Sequence, residues 1–463
     1  MSKKKILFGV TLLFCVFLMR KLPSEAAHRA QPTEDELVLV IDPGHGGENL
    51  GTIENGFEEK RMTMLTAQAM YDELSLYDDV TVYMTHTEDV DMTLKERATF
   101  AASVGADFLF SIHYNASIRH DLFGSEIWIS SVAPYNAYGY QFGYQYLQEM
   151  SNQGLFLRGI KTKLRDKQKD DYYGIIRESV ALSVPAVILE HCHVDEERDW
   201  VFCDSDEELA AFGRSDATAV AKYFGLKSTA LGVDYSTQDL PEADGERIVR
   251  STVMDETPPD ICLIEIADTD EDTGTITLNV TAADYDSPLL YYDYSYDGGL
   301  TYSPLQIWPG SDALRGTYQD TIQVTLTVPS GTQPDIILRA HNLFDLVTES
   351  NRLTLLRTFL YADDTEKENA ALIDTGNQET VLADSGLTAD SGLTVAGDGA
   401  PSATASFLPA VNEEVAETES EVSFLDFLKI CLVIVVALFV IYLFSRLWTA
   451  RMRRRRRRKR RKR

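Results

Sequence analysis

The sequence predicts an α/β domain on a largely parallel, twisted sheet flanked by helices, followed by a small all-β sandwich. Three observations carry this. From about residue 36 to 226, strand-length apolar runs alternate with segments of helical periodicity. Near residue 255 the texture changes to short strands separated by turns. Three apolar runs of the first region end in a residue able to do chemistry, which is where ligands bind in open α/β sheets. The first run leads into Asp42-Pro43-Gly44-His45-Gly46-Gly47, another ends at His113-Tyr114-Asn115, and a third ends at Glu190.

Taken in order, residues 37–41 form a continuous apolar strand, and a helix begins near Glu58 with Met62, Leu65, Ala69 and Leu74 at helical spacing. Residues 80–84 read as a strand. Thr93 and Glu96 form a capping box opening a helix that ends near Gly105. Residues 108–112 make a buried strand and 126–129 a further one; a helix over 137–150 follows, then a loop-rich stretch. Residues 186–189 are the last clear strand of this region, and Ser205 and Glu208 cap a helix running towards Tyr223. This domain spans 36–226, and residues 227–254 read as a polar linker. In the sandwich, 255–360, strands are expected over 261–266, 275–281, 289–296, 322–328 and 336–340. Asp297-Gly298-Gly299 suits a turn with residues at positive φ. Residues 294–302 resemble a hairpin common in bacterial immunoglobulin-like and fibronectin-like modules.

The ends of the chain speak to its location. Residues 1–27 read as a signal peptide: Lys3, Lys4 and Lys5, then an apolar run, then small residues; an uncleaved anchor is the alternative. Residues 361–423 are acidic, rich in small residues and carry a short tandem repeat, as in a disordered tether. Residues 424–448 have the length and apolarity of one transmembrane helix, and 449–463 form a basic tail that stays cytoplasmic. The expected location is therefore the cell membrane, single-pass, with the folded body on the outer, cell-wall side. The net charge of −29 hides the asymmetry: without the 12 basic residues of the tail, 31 basic residues face 72 acidic ones. So acidic a body argues against a nucleic-acid partner. Outside the two apolar ends only Cys192, Cys203 and Cys262 occur, too few for a disulfide framework.

Two histidines and a carboxylate with an open fourth position make a hydrolytic zinc site. His45 and His113 supply the imidazoles, and Glu59, at the start of the first helix, supplies the carboxylate, with Glu58 as the competing choice. Hydrolysis of an amide also needs a proton delivered to the leaving nitrogen, and Glu190 is placed to deliver it. Each residue has a plainer reading: His45 in an anion-binding glycine loop, His113 in the core, Glu59 as a helix N-terminal charge, and Glu190 as a structural carboxylate. His191 and His193, two apart on an extended segment, are expected to share a face opposite Cys192 and to be structural.

Several motifs in order then resemble the zinc-dependent N-acetylmuramoyl-L-alanine amidases of the Amidase_3 type. They are the glycine-rich segment 41–47, Glu59-Lys60, Leu94 with Glu96-Arg97-Ala98, Ser111-Ile112-His113-Tyr114-Asn115-Ala116, Gly124-Ser125-Glu126, Arg158-Gly159-Ile160-Lys161, and Val184-Pro185 running to Glu190. The resemblance covers about 190 residues, 38–226. It implies that His45, Glu59 and His113 bind Zn2+ and that Glu190 is the catalytic acid/base. It implies a peptidoglycan substrate, cut between N-acetylmuramic acid and L-alanine of the stem peptide. Two features depart from the family: His191-Cys192-His193 follows Glu190, where small or apolar residues are usual, and His86 stands where arginine is common. The rival readings are a non-catalytic wall-binding or adhesion protein, with an unknown partner for the sandwich, and an exported metallopeptidase acting within the stem peptide.

Overall fold

The computed structural model describes residues 36–165 and 170–361. In chain order the first region runs β1 (Leu37–Pro43), β2 (Ile53–Glu54), β3 (Phe57–Glu58), α1 (Glu59–Leu74), β4 (Val80–Met84), α2 (Leu94–Ser103) and β5 (Phe108–Asn115). It continues with β6 (Ser125–Ile129), α3 (Tyr135–Gln153), β7 (Leu157–Lys161), α4 (Gly174–Ala181), β8 (Ala186–His193), α5 (Glu197–Trp200) and α6 (Asp206–Phe224). Six strands form one sheet in the order β4-β1-β5-β8-β6-β7. The strands β4, β1, β5 and β8 are parallel. β6 runs antiparallel to β8, and β7 parallel to β6.

Both faces of the sheet are covered, which is why β1, β5 and β8 begin with continuous apolar runs rather than alternating. Leu39 and Ile41 point into a core shared with Met62 and Met70 of α1, Phe142 of α3 and Phe212 of α6. Val40, between them, points the other way, with Leu109 and Ile188, onto Ala101 of α2 and Ile175 of α4. The α1–α6 contact is close enough that a Cβ on Gly213 would lie 2.3 Å from the Thr66 carbonyl oxygen. The predicted capping box is formed at Thr93 and Glu96, and Ser205 caps α6. The stretch expected to be loop-rich contains β7 and α4; β7 escapes the apolar pattern because it carries Arg158 and Lys161.

Residues 227–254 are not a free linker. They form a hairpin of β9 (Lys227–Ser228) with β10 (Val233–Asp234) and then follow α3. There Asn136 accepts a hydrogen bond from Val249 N and donates one to Thr252 Oγ1, while Gln145 donates to the Asp239 carbonyl.

The second region comprises β11 (Ile261–Asp270), β12 (Thr275–Ala283), β13 (Leu289–Ser295), β14 (Gln306–Ile307), β15 (Gln319–Thr327), β16 (Asp335–Asn342), β17 (Val347–Glu349) and β18 (Leu353–Thr354). One antiparallel sheet is β11-β12-β15; the other is β14-β13-β16-β17, with β18 also on β16. Alternate residues of the two sheets, among them Ile264, Leu278, Val324 and Leu338, meet in one core around Trp308. Gly298 and Gly299 both adopt the positive φ expected of them. Both regions belong to one compact unit. They meet through Phe123, Leu290, Tyr291, Leu305 and Leu343. The predicted signal peptide, tether (save Tyr361), membrane span and basic tail lie outside the described residues. Among those described, no helix is long and apolar enough to cross a membrane.

Candidate metal centre

The site begins where β1 ends. Gly44 N donates to the Ile112 carbonyl (2.9 Å), tying the loop to β5, and a Cβ there would come within 2.5 Å of the His113 ring. His45 follows in the left-handed region at φ 65°, a conformation disfavoured for a side-chain-bearing residue. The buried Arg97 holds it there, donating to the carbonyls of Pro43 (2.6 Å) and His45 (2.5 Å). Arg97 is fixed in turn by Asp42 (2.8 Å), which also accepts from Thr85 and Ser111. Burial pushes the Asp42 carboxyl up, but the adjoining guanidinium and these hydrogen bonds bring it below its ordinary range.

Asn49 Oδ1 lies 3.0 Å from His45 Nδ1, which turns Nε2 towards Glu59 Oε1, also at 3.0 Å. His113 Nδ1 lies 3.2 Å from the same carboxylate oxygen. Tyr114 N donates to that oxygen and Thr52 N to Oε2, so the backbone orients the carboxylate. One donor atom from each of His45, Glu59 and His113 can be chosen so that all lie within 4.8 Å of one another. Two imidazole nitrogens and a carboxylate oxygen so converged are a donor set that fits a zinc-type ion. The histidine side chains are 19% and 21% exposed, and that of Glu59 is 5% exposed, so the group opens to solvent on the histidine side. Burial favours a neutral Glu59, yet the charge of His45 and the hydrogen bonds from both histidines hold its carboxyl well below the usual range. His45 shows the converse: burial lowers its pKa, but Glu59 raises it by more. Glu58, the competing choice, pairs with Lys60 at 3.6 Å and is not in the cluster.

Glu190 stands on β8 directly opposite His113 of β5 on one side and Glu126 of β6 on the other. Immediately beyond, the β5–β8 register shifts. This bulge overturns the expected alternation of His191, Cys192 and His193. His191 packs on Tyr114, Tyr146 and Phe212, in the same core as Cys192, and bonds Asp216 (2.9 Å). His193 turns elsewhere, to the Gly124 carbonyl (3.1 Å). His86 is buried beneath the glycine loop, 3.3 Å from where a Gly46 Cβ would stand.

The chemistry of a second buried cluster was missed in the sequence. Glu126 Oε2 accepts from Arg158 Nε (2.9 Å) and Lys161 Nζ (2.7 Å), and Oε1 from Asn115 Nδ2 (2.9 Å) and Trp128 Nε1 (3.1 Å). The signal was present: charged residues inside strand-length segments must be paired if those strands are buried.

A doubly covered α/β sheet with two histidines and a carboxylate converging at its edge has the donor set a metal-dependent hydrolase would use. The sequence pattern of the Amidase_3 family, N-acetylmuramoyl-L-alanine amidase, matches residues 39–222. The N-acetylmuramoyl-L-alanine amidase CwlM of Bacillus licheniformis is 30% identical over 196 residues, covering 42% of this chain and 72% of that protein. The sporulation-specific N-acetylmuramoyl-L-alanine amidase of Bacillus subtilis (strain 168) is 29% identical over 201 residues, 43% of this chain and 73% of that protein. Among solved structures, the catalytic domain of the amidase CwlV from Bacillus (Paenibacillus) polymyxa var. colistinus aligns with 41% of this chain and 99% of its own. That alignment has 23% identity and a TM-score of 0.36. The chain belongs to the Amidase_3 family of N-acetylmuramoyl-L-alanine amidases, which are cell-wall hydrolases.

Proposed function

We propose that this amidase cuts the amide between N-acetylmuramic acid and L-alanine of the peptidoglycan stem peptide, with Zn2+ held by His45, Glu59 and His113 and with Glu190 as acid/base. The observation that carries the reading is the convergence of those three side chains at the strand ends, with Glu190 in register beside His113. Zinc there would supply Lewis acidity, polarising the scissile carbonyl and lowering the pKa of water. The chain supplies the rest. Asn49 fixes the orientation of the His45 ring, and Arg97 fixes the backbone that carries it. Glu190 takes a proton from the attacking water and passes it to the leaving nitrogen of L-alanine.

The same proposal places the hydrolase on the outer face of the cell membrane after export by residues 1–27, held by a span over 424–448 with a cytoplasmic basic tail. The tether over 361–423 would give it a reach of roughly 40–50 Å.

The test uses the full chain, with zinc content measured, incubated with intact peptidoglycan, and the released fragments identified by mass spectrometry. Free stem peptides beginning at L-alanine are expected. Peptides cut at another bond would replace this reading with a peptidase, and zinc-loaded protein that binds peptidoglycan without releasing peptides would replace it with a binding module.

A further inference from the structure

The buried cluster beside Glu190 is completed by residues of the sandwich. Arg158 of β7 is 1% exposed and uses one edge of its guanidinium for Glu126. Its other nitrogens leave the sheet: Nη1 donates to Tyr291 Oη (3.0 Å) and Nη2 to Asp345 Oδ2 (2.7 Å). Tyr291 is wholly buried between Phe123 and Phe156, and its hydroxyl donates to the Phe123 carbonyl (2.8 Å). Asp345 sits at φ 62° in the turn between β16 and β17, which Asn342 locks by accepting from Phe344 N and Leu346 N. The neighbouring Leu343 presses so closely on β7 that a Cβ on Gly159 would lie 2.6 Å from it.

The charges make this contact more than packing. Within the first region the two buried cations, Arg158 and Lys161, both make their ion pairs with one carboxylate, Glu126; Asp199 feels the Arg158 charge without pairing with it. A buried charge without its partner is costly, and Asp345 supplies the second anion. The far side of the Glu126 carboxylate holds Asn115, two residues beyond His113 on β5, and the Cα of Glu126 is paired across the sheet with that of Glu190. Two side chains of the sandwich are therefore linked, through Arg158 and Glu126, to the strand ends that carry the site.

We infer that Asp345 and Tyr291 are positioning residues of the amidase site, acting through Arg158 and Glu126 to set the ends of β5 and β8. The sandwich is then a working part of the catalytic unit and not a separable wall-binding module. The inference rests on the assignment of Glu190 and His113 to the reaction.

The experiment compares the full chain with Asp345→Asn and Tyr291→Phe, the second removing a single hydroxyl should the first fail to fold. Circular dichroism and bound zinc establish that each variant is intact. Hydrogen–deuterium exchange is followed over residues 108–129 and 186–193, and kcat and KM are measured separately on a soluble muramoyl peptide. Expected are faster exchange at those strand ends and, for Asp345→Asn, a fall in kcat of about tenfold or more at nearly constant KM, because small misplacements near a reacting centre are expensive. Tyr291→Phe should move both in the same direction by less. Unaltered exchange together with unaltered kcat in folded variants would overturn the inference, as would a rise in KM alone, which would make the sandwich a substrate-holding surface. If wild-type protein released no peptide while exchange still responded to Asp345→Asn, the coupling would stand and the amidase reading would fail.

Discussion

Glu59 and Glu126 are both buried, at 4% and 3% exposure, and both are held ionised against the cost of burial, yet their partners differ in kind. Burial raises each carboxyl; at Glu126 the charge of Lys161, then that of Arg158, overcomes it, whereas at Glu59 the opposing groups are His45 and His113. The Arg158 guanidinium is a permanent cation, and the Lys161 ammonium, whose pKa burial lowers, is held charged by Glu126; both are sealed, with side chains 2% and 1% exposed. Imidazoles can exchange a proton for a metal, and theirs are about a fifth exposed. A depressed carboxylate pKa therefore does not by itself mark a reactive site. What marks it is a partner that can be exchanged and reached from solvent. On that ground the Glu59 cluster is the one whose donor set fits an exchangeable metal, and the Glu126 cluster is closed.

The largest expected effect tests the first half of that contrast. Glu190→Gln should retain metal and lose about 10²- to 10⁴-fold in kcat, the usual contribution of a general acid/base. His113→Ala should lose the metal as well as turnover. Elemental analysis beside peptide release separates the two, and wild-type turnover in Glu190→Gln would remove that residue from the reaction.

Next in size is a stability effect at the closed cluster. Glu126→Ala leaves Arg158 and Lys161 buried with Asp345 alone, and breaking a buried pair in this way costs about 3–5 kcal/mol. Denaturant unfolding of the full chain measures it. A wild-type midpoint in this variant would mean that the cluster holds nothing together, and the contrast with Glu59 would collapse.

How much of this was legible in the sequence depends on whether the information was local. The strands 37–41, 80–84 and 108–112 announce themselves because both faces are buried, and Thr93 with Glu96 marks the start of α2 because a capping box is a four-residue device. His45, Glu59 and His113 could be singled out because strand ends and a helix start bring them to one edge. Three things were not read. The bulge after Glu190 depends on pairing with β5 and leaves no mark in its own segment, so the alternation of His191 to His193 misled. β7 was lost because its Arg158 and Lys161 look solvent-facing until Glu126 is placed beside them. The link from Asp345 to Arg158 spans 187 residues, and a lone aspartate in a loop gives no hint of its partner.

The smallest effect sharpens the contrast by asking how well the buried His193–Asp199 pair, which lies beside the closed cluster and feels the charge of its Arg158, is shielded from protons. Burial, aided by the Arg158 charge, lowers the pKa of His193 from 6.5 to about 3. Burial raises that of Asp199 from 3.8 to about 6, against hydrogen bonds from His193 N and Gly124 N; the two side chains are 3.8 Å apart. At intermediate pH, below 6 and above 3.8, the folded chain thus carries a proton on Asp199 and none on His193, and the unfolded chain the reverse. Both states bind one proton, so the pair adds no slope to stability against pH. Removing either partner exposes the other. In Asp199→Asn the unfolded state binds the extra proton, so this variant should lose stability relative to wild type as pH falls through that window. In His193→Gln the folded state binds it, so this variant should gain stability relative to wild type over the same interval. One proton of difference is worth about 1.4 kcal/mol per pH unit, or roughly 2–4 °C for each kcal/mol in a domain of this size. Thermal midpoints of the full chain at two pH values inside the window, each read as a difference from wild type, decide the matter. Tilts of opposite sign would show that the two groups are titrated against each other in a sealed environment. Tilts of the same sign, or none, would mean that solvent reaches this cluster as it reaches His45 and His113, and the division between a closed and an open carboxylate would have to be given up.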